Sequence, residues 1–256
     1  WLGPIMIVWG IVSACTMFVR GPASFYALRF ILGVVESGFF PGVIFYLTLW
    51  YTRKHRARMV AAFMAANPIS GVLASPVSGW ILANLTGAGH LRAWQWLFLL
   101  EGIPSVLAGI VTLIYLADNP AGARWLTDAE RKLLLARLAE EEETKRREGE
   151  ARHRLMDAFR SGKVWILALV YFGAVMGNYG LWFWLPQLIK DSLTGDPWRI
   201  GLISMIPWAT AAVVMVLYGR HSDVTGERRW HLALALLFGA AAFAASALPG
   251  IPAVAG

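Results

Sequence analysis

What most limits the fold of this chain is a series of apolar runs, each about as long as a lipid bilayer is thick. They fall near Trp1–Val19, Ser24–Tyr51, Met59–Leu85, Trp94–Leu116, Val164–Ile189, Ile200–Tyr218 and Leu232–Leu248. At a rise of about 1.5 Å per residue, some 20 residues of helix cross a hydrocarbon layer roughly 30 Å thick. Hydrocarbon offers backbone amides no partner, so a continuous apolar run of this length must close its hydrogen bonds internally as a helix. A barrel strand would alternate apolar and polar residues, and these runs do not. The expected fold class is an all-α integral membrane protein with about seven transmembrane helices. Composition agrees, since only 15% of residues are charged against roughly 25% in a soluble domain.

A formal net charge of +7 raises the question of a nucleic-acid partner, and the positions of the basic residues answer it. They sit in short stretches between apolar runs, as a membrane topology requires. Arg53-Lys54-His55-Arg56-Ala57-Arg58, the stretch around Arg220, Arg228 and Arg229, and the long polar segment with Arg124, Arg131, Lys132 and Arg137 all fall on one side if every run spans once. The positive-inside rule makes loops 52–58, 118–163 and 219–230 cytoplasmic, and the expected location is the cell inner (plasma) membrane. Cys15 has no partner for a disulfide and no metal-ligand spacing. The chain opens on Trp1 inside an apolar run, and the expectation is a truncated front end.

Residues 118–163 divide the chain into a four-helix part (1–117) and a three-helix part (164–256). This connector holds 11 of the 23 Lys and Arg and 10 of the 16 Asp and Glu residues, a near balance that reads as a solvated linker. Thr127-Asp128-Ala129-Glu130 has capping-box spacing, so a helix is expected to begin there, with Leu134 and Leu138 as a narrow apolar stripe. Arg154, Leu155, Met156 and Phe159 suggest a second, short amphipathic helix on the membrane surface.

Three charges lie inside apolar runs: Glu101, a few residues into the fourth and near its outer side, where structure or gating is expected, and Arg29 and Glu36, both in the second. Counting from Ser24, Arg29 lies roughly 8 Å and Glu36 roughly 18 Å into the second run. Their spacing of seven residues puts both on one helix face, too far apart for a tight ion pair. An intramembrane charge costs at least about 2.5–3.5 kcal/mol, so it usually faces a cavity and performs a function. Arg29 stays charged and presents a planar fork suited to a carboxylate, which makes it the candidate anion ligand. Glu36 is the candidate carrier of a coupling proton, because a carboxylate in a low-dielectric cavity beside a guanidinium can exchange protons in the working pH range.

Arg29-Phe-Ile-Leu-Gly33-Val-Val-Glu36, followed by Pro41-Gly42, resembles the fourth helix of the anion:cation symporter family within the major facilitator superfamily. Gly219-Arg-His-Ser-Asp223-Val-Thr-Gly226-Glu-Arg228-Arg229 is similar to the superfamily's GxxxD-x-x-G-x-R-R loop in its second-half form, with Val224 where a basic residue is common. Trp125-Leu-Thr-x-x-Glu130 resembles the family's central loop. The resemblance implies two six-helix halves, of which this chain would supply helices three to nine. It also implies a conformational latch at Gly219, Asp223, Gly226, Arg228 and Arg229, and a substrate amide at Asn67.

Other residues add to the cavity. Asn178 and Tyr179 fall mid-run beside Gly177 and Gly180, where the backbone could bend around a ligand, and both are candidate substrate contacts. Gly71, Ser75 and Gly79 recur every four residues, as do Gly38 and Gly42, a spacing that lets helix backbones approach closely. No Walker or Rossmann glycine loop and no nucleophile-base set is present, so neither ATP-driven transport nor an enzyme is expected. The expected function is proton-coupled import of a small organic anion (sugar acid, dicarboxylate, aromatic acid or similar) by alternating access. The transport unit is expected to be monomeric, with no cofactor beyond the coupling proton. The alternatives are a transporter-like membrane sensor and a facilitator for neutral solutes.

Overall fold

A computed structural model describes residues 1–147 and 159–246. Among the described residues the regular structure is helical: α1 (Leu2–Cys15), α2 (Pro22–Ser37), α3 (Phe39–Trp50), α4 (Arg53–Asn84), α5 (Ala93–Tyr115), α6 (Asp128–Arg147), α7 (Gly162–Ser192), α8 (Pro197–Thr225) and α9 (Arg229–Ser246). Among the described residues, six stretches are long and apolar enough to cross a membrane, with α2 and α3 forming one of them (Pro22–Trp50). The first apolar run gives a shorter helix, Leu2–Phe18, and the last ends at Ser246 where the described residues stop. Phe30, Phe183 and Phe238 are each more than 70% exposed, a pattern that suits lipid rather than water as the surrounding medium. Arg154, Leu155 and Met156 lie outside the described residues, and Phe159 is exposed.

Helices extend beyond the apolar runs, which corrects the expected loops. Residues 53–58 form the first turns of α4, started by Thr52, whose carbonyl accepts from the amides of His55 and Arg56 at 3.0 and 2.9 Å. Gly219 and Asp223 lie in the last turns of α8, which ends only at Gly226 in the left-handed conformation (φ 68°). Hydropathy marks where a helix leaves lipid. It ends where the backbone is capped, and glycine at positive φ is such a stop.

The chain forms two compact units, residues 1–64 with 84–150, and residues 65–83 with 151–256. In the first, α1 and α5 run antiparallel in contact along their glycines. A Cβ placed on Gly10 would lie 2.6 Å from the carbonyl oxygen of Gly102, and one on Gly109 would lie 2.9 Å from that of Gly3. Polar bonds join the same seam: the Ser105 hydroxyl donates to the Met6 carbonyl (3.0 Å), and the Gln95 amide donates to that of Met17 (2.8 Å). In the second unit, the glycine face read from the sequence meets α8, with Gly71 against the Trp208 ring and Gly79 against Gly201.

The connector's helix α6 starts as the sequence implies. The Thr127 amide donates to the Glu130 carboxylate at 3.0 Å, and the Glu130 amide donates to the Thr127 hydroxyl at 3.3 Å. The Thr127 hydroxyl, and then its amide, hold the Glu130 carboxyl below its ordinary range. Leu134 and Leu138 are half-buried while Leu133 and Leu135 are exposed, which is the expected stripe. The segment is also tied down more firmly than a solvated linker. Trp125 stacks on Trp50 (5.5 Å, 8°), the Tyr46 hydroxyl donates to the Ala117 carbonyl (3.1 Å), and Glu141 accepts from the Arg53 amide (2.8 Å) beside Arg56 (3.7 Å). Replacing Trp125 with Ala is therefore expected to speed proteolytic cleavage within 118–163, as the aromatic pair contributes about 0.5–1.5 kcal/mol beyond its buried area. An unchanged cleavage rate would show that the stack does not hold the connector.

Candidate functional site

Arg29 and Glu36 lie on α2, which starts at Pro22 after a Gly21 N-cap, with the Ser24 hydroxyl accepting from the amides of Gly21 and Arg20 at 3.2 Å. The Arg29 guanidinium lies over the Phe25 ring one turn earlier (5.2 Å) and near the Phe98 ring of α5 (6.0 Å). A guanidinium held against ring faces keeps its N–H edge available for an acceptor. Glu36 is exposed, and among the described residues no ion pair joins it to Arg29.

The second run, expected as one continuous helix, is interrupted just after Glu36. α2 ends at Ser37, the Gly38 amide reaches only the Glu36 carbonyl, and α3 begins at Phe39. Pro41 has no N–H for the Ser37 carbonyl, and Gly38 keeps right-handed helical angles (φ −84°, ψ −13°), so the interruption is one turn residue within a single apolar span. Glu36 therefore sits in the last turn of a helix rather than in a helix interior. The pair Gly38 and Pro41 was the available signal.

A cavity of about 780 Å³ opens beside the break, lined by Gly38, Pro41, Gly42, Tyr46, Thr112 and Asp118 among others; neither Arg29 nor Glu36 lines it. The structure thus places both charges on α2, where among the described residues neither the Arg29 guanidinium nor the Glu36 carboxylate makes a hydrogen bond or ion pair, and leaves this cavity to other residues.

The remaining candidates fall in the second unit. Asn67 precedes the buried Pro68 on α4; its side chain is exposed, and its carbonyl accepts from the Ser70 hydroxyl (2.7 Å). Asn178 and Tyr179 are exposed on α7, whose helix runs through Gly177 and Gly180. A Cβ on Gly180 meets nothing within 4 Å, and one on Gly177 meets only the end of Phe243. The Tyr179 ring stacks on Phe183 (6.1 Å) and meets Trp182 edge-on (6.3 Å), and Trp182 meets Trp208 of α8 (6.4 Å).

At the α8–α9 turn, Gly226 stops α8, and Asp223, Arg228 and Arg229 are exposed. Glu227 belongs to none of the site sets expected from the sequence. Its carboxylate accepts from the amides of Arg229 (3.2 Å) and Trp230 (2.8 Å) and so caps α9. An acidic residue just before a helical run was the signal for it.

A family model described as the Major Facilitator Superfamily matches residues 1–256. The chain is 46% identical over 244 residues to a protein of Agrobacterium vitis named for tartrate transport, covering 95% of this chain and 55% of that protein. It is 42% identical over 248 residues to NicT of Pseudomonas putida, named for metabolite transport, covering 97% and 56%. It is 35% identical over 243 residues to a quinolone resistance transporter of Acinetobacter baumannii, covering 94% and 55%. The chain spans about half the length of these curated relatives. With membrane-length helices throughout and the family match running from its first residue to its last, the chain is an integral membrane protein that belongs to the Major Facilitator Superfamily.

Proposed function

We propose that the protein imports a small organic anion in symport with protons, with Arg29 binding the anion's carboxylate and Glu36 carrying the coupling proton. One observation carries this reading: a guanidinium and a carboxylate seven residues apart within an apolar span, the first held on aromatic rings and the second in the last turn before a helix break. Charges at that depth are costly unless they serve a polar pathway. Two relatives named for tartrate and for metabolite transport support an organic acid as the cargo. The basic residues of Arg53–Arg58, 118–163 and Arg220–Arg229 support a cytoplasmic location for that side of an inner membrane.

In this reading Asn67, Asn178 and Tyr179 supply further polar contacts to the anion, and Gly219, Asp223, Gly226, Arg228 and Arg229 act in the conformational latch. The test is accumulation of tartrate and other small organic acids in proteoliposomes under an imposed inward proton gradient. Accumulation above equilibrium that collapses with a protonophore is the expected result. Saturable binding without accumulation would instead favour a sensor and end the symport reading. In the same assay, replacing Phe98 with Leu is expected to weaken apparent anion affinity about twofold to fivefold, since an exposed cation–π contact contributes about 0.5–1 kcal/mol. The response to the proton gradient should not change. An unaltered affinity would remove Phe98 from the site.

A further inference from the structure

The α8–α9 turn holds a chain of polar groups that the transport reading does not use. His221, in the penultimate turn of α8, and His231, in the first turn of α9, bring Nδ1 and Nε2 to 2.7 Å, with ring centroids 5.0 Å apart. The Tyr218 ring lies 4.9 Å from the His231 ring, and its hydroxyl donates to the His231 carbonyl (3.0 Å). On the other side of His231, Nδ1 is buried, has no hydrogen-bond partner among the described residues, and lies 3.7 Å from the Glu227 carboxylate. His221 is exposed, so water reaches the pair through it.

Two neutral imidazoles at this distance need one ring to present N–H and the other a lone pair. An added proton has a natural place on His231. With both of its nitrogens protonated, Nε2–H points to the lone pair on His221 Nδ1, and Nδ1–H, buried and unpartnered, faces the anionic Glu227. A second proton would have to occupy His221 Nδ1, where it meets an N–H and a positive ring. The hydrogen bond then has no acceptor, and two cations are in contact. The spacing suits a proton and is too short for a metal ion, whose two imidazole ligands at roughly 2.0–2.1 Å each would stand farther apart.

The other charged groups near this turn are Arg220 and Asp223 at the end of α8, Arg228 just before α9 and Arg229 at its start; Arg199 lies at the far end of α8. Shielding pushes the Glu227 carboxyl up, and the amides of Trp230, Arg229 and His231 more than reverse this, holding it below the usual carboxylate range. Glu227 thus remains an anion across the range in which imidazoles change charge.

We infer that His221 and His231 form a proton-binding site, separate from Glu36, that holds one added proton between two rings and opens when a second arrives. Opening releases one tie between the end of α8 and the start of α9. The Tyr218 bond to the His231 carbonyl and the Ser222 bond to the Glu227 carbonyl (3.0 Å) do not depend on charge, so the turn loosens without unfolding.

The test is ring titration by NMR of the protein labelled with ¹⁵N-histidine in lipid nanodiscs, without substrate, comparing wild type with His231→Phe and His231→Gln. In both variants His221 is expected to take its proton at a proton concentration at least fivefold lower than in the wild type. A smaller change overturns the site. The wild-type curve gives a second test that needs no variant. The two rings should fill in steps at least fivefold apart in proton concentration, and independent, overlapping titrations overturn the site. Because no substrate is present, the result does not depend on whether Glu36 couples protons to transport.

Discussion

Replacing Glu36 with Gln is expected to abolish accumulation driven by a proton gradient, down to the level of protein-free liposomes, while substrate counterflow exchange persists at no less than half its wild-type rate. Glutamine keeps the shape of the side chain and loses only the ability to gain and release a proton, so net uptake tied to proton movement stops. Exchange of one bound anion for another needs no net proton transfer and continues. Removing a charge from an apolar span relieves a burden of at least about 2.5–3.5 kcal/mol, so the variant should fold and insert normally. Loss of both activities in a well-folded variant would assign Glu36 to binding or packing rather than coupling.

The second large effect is structural. Replacing Gly10 with Ala is expected to destabilise the protein by about 1–3 kcal/mol, the usual range for overpacking, and to lower its melting temperature in detergent. The added methyl would lie 2.6 Å from the Gly102 carbonyl oxygen and 2.9 Å from the Val106 amide nitrogen. Both are backbone atoms, which yield only if α1 and α5 separate. Helix propensity works the other way, favouring Ala over Gly by about 1 kcal/mol, so a net loss reports the contact itself. Gly195→Ala is the control, because a Cβ there meets nothing within 4 Å. A Gly10→Ala protein melting at or above the wild-type temperature would show that the α1–α5 seam tolerates separation.

The sequence exposed some of these contacts and concealed others for a physical reason. Gly71 and Gly79 stand out because small residues four apart share a helix face, and both do pack tightly on α8. Gly3, Gly10, Gly102 and Gly109 were not singled out; each pair is seven residues apart, and what matters is that Gly3 meets Gly109 and Gly10 meets Gly102 across two helices distant in sequence. Spacing within one run shows which face is small. It does not show which other helix lies against that face. Gly38 and Gly42 carry the four-residue spacing too, yet a Cβ on either would meet only side-chain atoms, at 3.2 Å, from Ile5, Leu2 and Trp1.

The candidate site was legible to a similar degree. Arg29 and Glu36 stood out because a charge within an apolar run is visible without any fold. The aromatic rings under Arg29 were half visible: Phe25 is one turn away on the same helix, whereas Phe98 comes from α5. His221 and His231 gave no signal at all, since ten residues and a helix stop separate two side chains that meet at 2.7 Å.

Sequence was enough to show an all-helical membrane protein whose most deeply placed charge, Glu36, lies in the second apolar span. Those properties follow from the solvent, because hydrocarbon satisfies no backbone amide and tolerates few charges along any single run. The interruption after Glu36 had a local signal in Gly38 and Pro41, whereas the folded structure was needed to show that helices α4 and α8 carry on through polar residues beyond the apolar runs, and which helix faces meet. Helix ends depend on local capping, and helix pairing depends on which distant backbones come so close that no Cβ fits between them, and hydropathy records neither.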